Sequence, residues 1–268
     1  MDAITTRVLE VLAREDSVDA VDAATLTFLL RQYLGTDRQD LREALGSALA
    51  SALEHAASEP TAGGRAAWLM LFAEVTSIAE DERIVAVIGE LVASLRAEWP
   101  AASGVADGSA SVEAVLVASS LFDPHELVPP AIDQLEHVIG GAYQPGAGVR
   151  GGLVNQVRAA SALLTAFEIT GRLPYSMLAE ELMRTARATA PDEADPDTIR
   201  VQCEAARVLC RLATLHDDAG YRNAAVIASD ADYRGDAARI LAAQSTRALN
   251  GTPAHAAAYG LALLDLLK

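Results

Sequence analysis

Two segments of the chain repeat each other. The segment Ala162-Leu-Leu-Thr-Ala-Phe-Glu-Ile-Thr-Gly171, followed by Tyr175, is matched 46 residues later by Val208-Leu-Cys-Arg-Leu-Ala-Thr-Leu-His216, followed by Tyr221. In both segments, apolar residues recur at the spacing of three and four that is typical of a helix with one buried face. A repeat of this length is typical of helical hairpins that stack side by side.

The same kind of helix ending occurs twice more, earlier in the chain. The four endings lie 46 or 47 residues apart, at Ala73-Glu-Val-Thr76, Ser120-Leu-Phe-Asp123, Glu168-Ile-Thr170 and Thr214-Leu-His216. Each unit therefore consists of a long loop, a helix, a short turn and a second helix. We expect the chain to be all-α, because no segment shows the alternation of a half-buried strand.

The number of repeats decides between two architectures, a closed (α/α)6 toroid of helical hairpins and an open HEAT-like α-solenoid. The 268 residues hold nearly six units, which favours closure. An open solenoid needs polar end caps, whereas the terminal segment Leu261–Leu267 is strongly apolar. We therefore predict one toroidal domain over residues 1–268, sealed by pairing of its first and last helices.

Capping and breaking residues set the predicted helix ends. We expect Ser17 or Asp19 to cap the second helix, Asp37 to cap the third, and Pro129 and Pro130 to break or kink the seventh. The predicted helices are Asp2–Arg14, a second ending at Leu34 before Gly35, Arg38–Ser58, one opening at Thr61–Arg65, Asp81–Trp99, Ala110–Phe122, Asp123–Ile139, Gly152–Thr170, Tyr175–Thr189, Thr198–His216, Gly220–Ser229, Tyr233–Asn250 and Ala254–Leu267.

The charge balance bears on partners and on compartment. The formal net charge is −16, from 37 acidic and 21 basic side chains, which argues against binding to nucleic acid. No apolar run is long enough to cross a bilayer, and the N-terminus lacks a secretion signal, so we expect a cytoplasmic protein without a membrane partner. The residues indicate no particular protein partner.

Cysteine and histidine positions predict neither a metal nor a cofactor. Cys203 and Cys210 lie two helical turns apart, about 10 Å, which is too far for a disulfide. Zinc needs further Cys or His ligands at close spacing, and none is near. We expect both thiols to be buried apolar residues.

The long loops predict where a ligand binds. The connections at residues 100–109, 140–151 and 190–197 each precede a helix that would line the ring, so they gather on one face with the helix N-termini. Arginines near these helix starts favour an anionic ligand. The Gly-rich stretch Gly140–Asn155 is no nucleotide motif, and its glycines are expected to supply turns with positive φ. The expected ligand-binding residues on this face are Arg65, Trp68, Tyr143, Arg150, Asn155, Arg158 and Arg200.

Several of these segments resemble a known family. Gly140-Gly-Ala-Tyr143, Leu153-Val-Asn-Gln156, the repeat at Ala162–Gly171 and the ending Ala254–Asp265 resemble the helical half of thioredoxin-domain proteins of spermatogenesis-associated type. That half in turn is similar to N-acylglucosamine 2-epimerases and six-hairpin glycosidases. The resemblance covers about residues 140–268, and it implies a six-hairpin ring with sugar chemistry at the loop face. The Cys-x-x-Cys motif of the thioredoxin part is absent, and Asn155 stands where relatives often have an acidic residue.

Sugar chemistry needs particular side chains. Glycoside hydrolysis uses two carboxylates roughly 5–9.5 Å apart, and epimerisation beside a carbonyl uses a general base such as histidine. His255, at the start of the last lining helix, is the best-placed histidine. Acidic side chains in or just after the long loops are Asp107, Glu113, Asp195, Asp197 and Glu204, of which Asp107, Asp197 and Glu204 join His255 as catalytic candidates.

The residues favour binding over catalysis. Sugar-binding rings use aromatic platforms, and only Trp68, Tyr143, Tyr233 and Tyr259 are suitably placed. Asn155 and the lack of a dense catalytic cluster point the same way. We therefore expect a non-catalytic or degenerate toroid that binds a small anionic or saccharide ligand; the alternative is a glycoside hydrolase or sugar epimerase-like enzyme that uses a carboxylate pair or His255.

Overall fold

The protein is a ring of helical hairpins. The computed structural model describes residues 1–12, 21–99, 104–189, 195, 197–225 and 230–268. Within these ranges the helices are α1 (Asp2–Leu12), α2 (Ala23–Thr36), α3 (Gln39–His55), α4 (Ala62–Thr76), α5 (Glu82–Glu98), α6 (Val105–Ala118), α7 (Pro124–Gly140), α8 (Leu153–Thr170), α9 (Leu173–Ala188), α10 (Thr198–Asp217), α11 (Ala219–Ala225), α12 (Tyr233–Asn250) and α13 (Pro253–Leu266). Two strands, β1 (Tyr143–Gln144) and β2 (Gly148–Val149), pair antiparallel.

Six helices form a closed inner layer. Helices α2, α4, α6, α8, α10 and α13 each pack against the next, and α13 packs back against α2. Helices α3, α5, α7, α9, α12 and α1 cover them as an outer layer. Because inner and outer helices alternate along the chain, the inner helices run in the same direction and their N-termini share one face.

The first and last helices seal the ring, as the apolar C-terminal segment predicts. Helix α1 packs against α13 and α2, and the Arg7 guanidinium donates hydrogen bonds to the carbonyl oxygens of Leu249 and Gly251. At the seam between α13 and α2, Gly260 lies so close to Phe28 that a Cβ would overlap the phenyl ring. Small residues thus let the inner helices approach closely enough to close the circle.

One predicted cap is wrong. Asp37 does not begin α3; it ends α2 in the left-handed conformation (φ 51°) and donates its backbone N–H to the Tyr33 carbonyl oxygen. A residue in that conformation cannot adopt the extended backbone of an N-cap. Gly35 also lies inside α2, and the cap at the start of α2 is Asp22. Ser17 and Asp19 lie outside the described residues.

The prolines do not break the seventh helix. Helix α7 runs without interruption from Pro124 to Gly140, with Pro129 and Pro130 inside it. Prolines at these positions leave the carbonyl oxygens of His125 and Glu126 without their helical donors. Both residues are exposed on the outer layer, where water can bind these oxygens, and the buried side chains of α7 hold the helix in place.

The sixth helix begins earlier than the sequence predicts. Helix α6 starts at Val105 rather than Ala110, so Asp107 lies in its first turn. The small residues of this stretch are needed for packing, because a Cβ on Gly108 would lie 3.1 Å from Cγ2 of Val138 on α7. The long connection before α6 is correspondingly shorter.

Candidate functional site: the axial cavity

A cavity of about 970 Å³ runs along the axis of the ring. All six inner helices contribute to its walls, from their first turns (Asp22, Gly63, Asp107) to their last (Ser77, Asp265). We call it the axial cavity. Its charged lining residues are seven acids and five arginines: Asp22, Glu59, Glu74, Asp107, Glu113, Glu204 and Asp265, with Arg31, Arg158, Arg200, Arg207 and Arg211.

At the end nearest the helix N-termini, one arginine joins two carboxylates. Nη1 of Arg158 lies 3.4 Å from Oδ1 of Asp107, and its Nε lies 3.5 Å from Oε2 of Glu204. Gly63 leaves room for this group, because a Cβ there would lie 2.9 Å from Oδ1 of Asp107. The three charged side chains link α6, α8 and α10 across the cavity wall.

Further along the axis, Glu113 is the most buried acid of the axial cavity, with 7% of the residue exposed. Its Oε1 accepts hydrogen bonds from the hydroxyls of Ser161 (2.7 Å) and Thr165 (2.9 Å) and from Nη1 of Arg211 (3.3 Å). Arg211 also binds Glu168, at 3.0 Å. A buried carboxylate is tolerable here because hydroxyl groups and a guanidinium replace the lost water.

At the opposite end, an ionic chain crosses four helices. Arg31 on α2 binds Glu74 on α4 and also lies 3.4 Å from Asp265 on α13, which in turn binds Arg207 on α10 at 2.8 Å. Lys268 adds a further contact to Asp265, at 2.8 Å. Burial raises the pKa of Asp265, but its ion pair and hydrogen bond with Arg207, together with Lys268 and Arg31, outweigh that effect and lower the pKa below its usual value.

Five predicted site residues line the axial cavity. They are Trp68, Asp107, Arg158, Arg200 and Glu204. Trp68 stacks on Phe72, with ring centroids 5.9 Å apart. Among the described residues, Arg200 makes a long contact, 4.0 Å, with Asp197. The structure therefore brings together three of the five charged residues expected near the starts of α6, α8 and α10, namely Asp107, Arg158 and Glu204. Asp197 stays exposed.

Four predicted ligand-binding residues instead hold loops in place. Arg65 binds Glu98 (2.5 Å) and the Glu59 carbonyl oxygen. Within the Gly-rich loop and its flank, the remaining contacts run from the Tyr143 hydroxyl to Glu181, from Arg150 to the Gly141 carbonyl oxygen and from Asn155 to the Arg150 carbonyl oxygen. These contacts lie within the protein, and none of the four residues is among those that line the axial cavity.

The Gly-rich loop has a structural role that its glycines make possible. Gly146, Gly148 and Gly151 all have positive φ, as the sequence predicts. The Gln156 side chain lies over the hairpin, accepting from the Val149 N–H and donating to the Val149 carbonyl oxygen. The loop is a compact hairpin braced by its own side chains.

The predicted histidine also has a structural role. His255 forms a capping box with Thr252 at the start of α13, and it is not among the residues that line the axial cavity. Tyr233 lies between the layers, where its hydroxyl donates to the buried Glu180 and its ring meets the edge of His216. Tyr259 is buried in α13.

Sequence reasoning missed the far end of the axial cavity. Arg31, Glu74, Arg207, Arg211 and Asp265 lie in the middle or towards the ends of inner helices, whereas the long loops point only to helix starts. Charged residues that interrupt otherwise apolar lining helices were the available signal, because a charge on such a helix must face an aqueous cavity or a partner.

The described ranges contain neither a cluster of metal-binding side chains nor a helix suited to crossing a membrane. No group of three His, Cys, Asp or Glu side chains there is arranged to hold a metal ion. Among the helices described, none has the length and apolar character needed to traverse a bilayer.

Comparison with known proteins gives one kind of match. No protein-family model matches the chain, and no curated protein does. Among solved structures, it is similar to an inactive variant of the α-1,6-mannanase GH76A of Salegentibacter sp. HEL1_6 in complex with α-1,6-mannotetrose, with a TM-score of 0.69 and 11% identity over 91% of this chain and 87% of that chain. The likeness to thioredoxin-domain proteins of spermatogenesis-associated type gains no support here and stays a prediction. What the comparison shows is the fold: the chain is an all-α (α/α)6 toroid of helical hairpins.

Proposed function

We propose that the chain is a carbohydrate-active protein that binds a saccharide in the axial cavity. The observation that carries the proposal is the cavity itself, about 970 Å³ on the ring axis and walled by interleaved arginines and carboxylates. Its volume is at the upper end of the range of roughly 300–1,000 Å³ that is usual for ligand sites. A protein of the same fold holds α-1,6-mannotetrose, which supports the proposal.

The polar groups of the wall match hydroxyl groups. A guanidinium can only donate hydrogen bonds and a carboxylate can only accept them. A sugar hydroxyl does both, so a polyhydroxylated ligand can accept from one wall residue and donate to its neighbour. Trp68 adds one aromatic face for a sugar ring.

The charge of the wall favours a neutral saccharide over an anion. Acids outnumber arginines among the lining residues, and all five arginines lie within 4.0 Å of a carboxylate. An anion would therefore have to compete with side chains already in place. This argues against the anionic ligand that the arginine positions predict.

Titration calorimetry with a panel of tetrasaccharides tests the proposal. The panel contains α-1,6-mannotetrose, other neutral hexose tetramers and hexuronate tetramers. We expect saturable binding of at least one neutral member, and a weaker response from a variant carrying Trp68→Ala. Exposed Val85→Ala on the outer helix α5 is the matched control. Absence of binding by every member would overturn the proposal.

Glycoside hydrolysis is a second candidate, because of the position of Asp107 and Glu204. Both contact the guanidinium of Arg158, so their oxygens lie no more than about 9 Å apart, which is below the upper limit of roughly 9.5 Å for the carboxylate pair of a glycosidase. However, the guanidinium occupies the space between them, where a scissile bond would have to enter. Hydrolysis would thus require Arg158 to move away.

No two consecutive aspartates are among the described residues that line the axial cavity. The structurally similar α-1,6-mannanase is an inactive variant with two consecutive aspartates replaced by alanine. The only consecutive aspartates in this sequence are Asp217 and Asp218, at the junction of α10 and α11, away from the residues that line the axial cavity. Binding without hydrolysis is the outcome that these positions favour.

A measurement of released reducing ends separates the two candidates. Prolonged incubation with each tetrasaccharide should release no new ends if the chain only binds. Release that is lost in both the Asp107→Asn and Glu204→Gln variants would establish hydrolysis by this pair.

A further inference from the structure

The carboxylate of Glu113 is held in a way that leaves one oxygen for a ligand. All its hydrogen bonds within the described part of the chain end on Oε1, from Ser161, Thr165 and Arg211. Glu113 lines the axial cavity, and Oε2 receives no donor from those residues. The side chain is therefore fixed on one side and presents an acceptor on the other.

Arg211 holds Glu113 in place, and all three of its side-chain nitrogens already donate hydrogen bonds. Its Nη1 donates to Glu113 and Ser161, its Nη2 to Thr165 and Glu168, and its Nε to Glu168. With all three nitrogens engaged, this guanidinium cannot add a donor for a ligand without breaking an existing contact. The group that a ligand meets at this point is the carboxylate of Glu113.

We infer that Glu113 determines the specificity of the axial cavity: its Oε2 accepts a hydrogen bond from a neutral sugar hydroxyl and repels a sugar carboxylate. Ser161, Thr165 and Arg211 are positioning residues that hold the carboxylate in one orientation. The inference rests on the proposed saccharide binding and narrows it to neutral saccharides. A hydroxyl donates to Oε2 without bringing a second charge near Arg211, whereas an anion would face the carboxylate directly.

The Glu113→Gln variant tests the inference through selectivity. Its carbonyl oxygen can still accept from Ser161 and Thr165, while its amide presents N–H donors where Oε2 was, and the negative charge is lost. We expect the wild type to bind a neutral hexose tetramer at least about tenfold more tightly than a hexuronate tetramer, the effect of one charged hydrogen bond. In the variant the ratio should fall to about one, with tighter binding of the hexuronate.

Glu168→Gln is the matched control. It removes the same charge and a carboxylate partner of Arg211, but Glu168 is not among the residues that line the axial cavity. We expect it to keep the wild-type selectivity, and circular dichroism melts verify that both variants fold.

The outcomes distinguish failure of the inferred role of Glu113 from failure of the proposed saccharide binding. Loss of selectivity in Glu113→Gln alone supports the role of Glu113. Equal selectivity in the wild type and Glu113→Gln, or no preference in the wild type, overturns this role while saccharide binding stands. No binding of any tetramer by the wild type overturns both.

Discussion

Arg31 and Glu74 form a fork-shaped ion pair between the first two inner helices, with Nε–Oε1 at 2.8 Å and Nη2–Oε2 at 3.1 Å. Two parallel charge-assisted hydrogen bonds fix the relative orientation of the helices as well as attracting them. The pair begins the ionic chain that continues through Asp265 to Arg207.

We expect a double-mutant cycle with Arg31→Met and Glu74→Gln to give a coupling free energy of about 1 kcal/mol, because the pair is bidentate and only about a quarter exposed. Urea unfolding of the four proteins measures it. Additive effects within error would show that the two side chains contribute independently.

Replacement of glycine by alanine should destabilise the protein at Gly260 and stabilise it at Gly89. Gly260→Ala places a Cβ against the Phe28 ring at the ring seam, so we expect a loss of about 1–3 kcal/mol from overpacking. Gly89→Ala in α5 meets nothing within 4 Å and should gain about 1 kcal/mol through helix propensity. Thermal unfolding of both variants provides the comparison, and a stabilised Gly260→Ala would contradict the close seam.

Asp265 should make stability depend on pH. Because its pKa is lowered in the folded state, its contribution is present above the unfolded value of 3.8 and is lost as the pH falls through the folded value. We expect Asp265→Asn to cost about 1–3 kcal/mol near pH 7 and clearly less once the pH has fallen through the lowered pKa of Asp265 in the folded state. Urea titrations of both proteins at several pH values measure this. A difference that stays constant with pH would be incompatible with the ion pairs.

The two thiols should be unreactive in the folded protein. Burial raises the pKa of Cys203 to about 12 and also raises that of Cys210, so almost no thiolate is present near pH 8. We expect a thiol-reactive dye to label neither residue until denaturant is added, after which both react. Rapid labelling of the native protein would show that this part of α10 opens.

The repeat predicts the ring well, and the failures are local. A period of 46 or 47 residues fixes which helices are inner and which are outer, because each unit contributes one of each. Asp37 ends α2 because its backbone is left-handed, and α7 continues through Pro129 because the carbonyl oxygens that lose their donors face water. Neither property is apparent from the neighbouring residues in the sequence. Gly108 is the opposite case. In the sequence a glycine here favours a loop, whereas in the structure its lack of a side chain allows close packing against Val138.

The sequence identifies residues that line the axial cavity only where long loops precede them. Asp107, Arg158 and Glu204 follow long connections, so helix starts revealed them. In the sequence Glu113 is one of several acids near the long loops, but its partners on α8 and α10 are 48 to 98 residues away, and no local pattern links them. Only the three-dimensional packing of the helices shows which of these acids is held by hydrogen bonds to one carboxylate oxygen.

Closure of the ring by α1 and α13 has a consequence for folding and for protein engineering. The seam joins segments from opposite ends of the sequence, so its contacts carry the largest loop-closure entropy and should form late. A circular permutant that joins residue 268 to residue 1 and opens the turn at Gly171 would make this seam local and move the late step to the α8–α9 pair. A closed ring of hairpins has no obligatory starting point, and the order of assembly can be chosen by where the chain is cut.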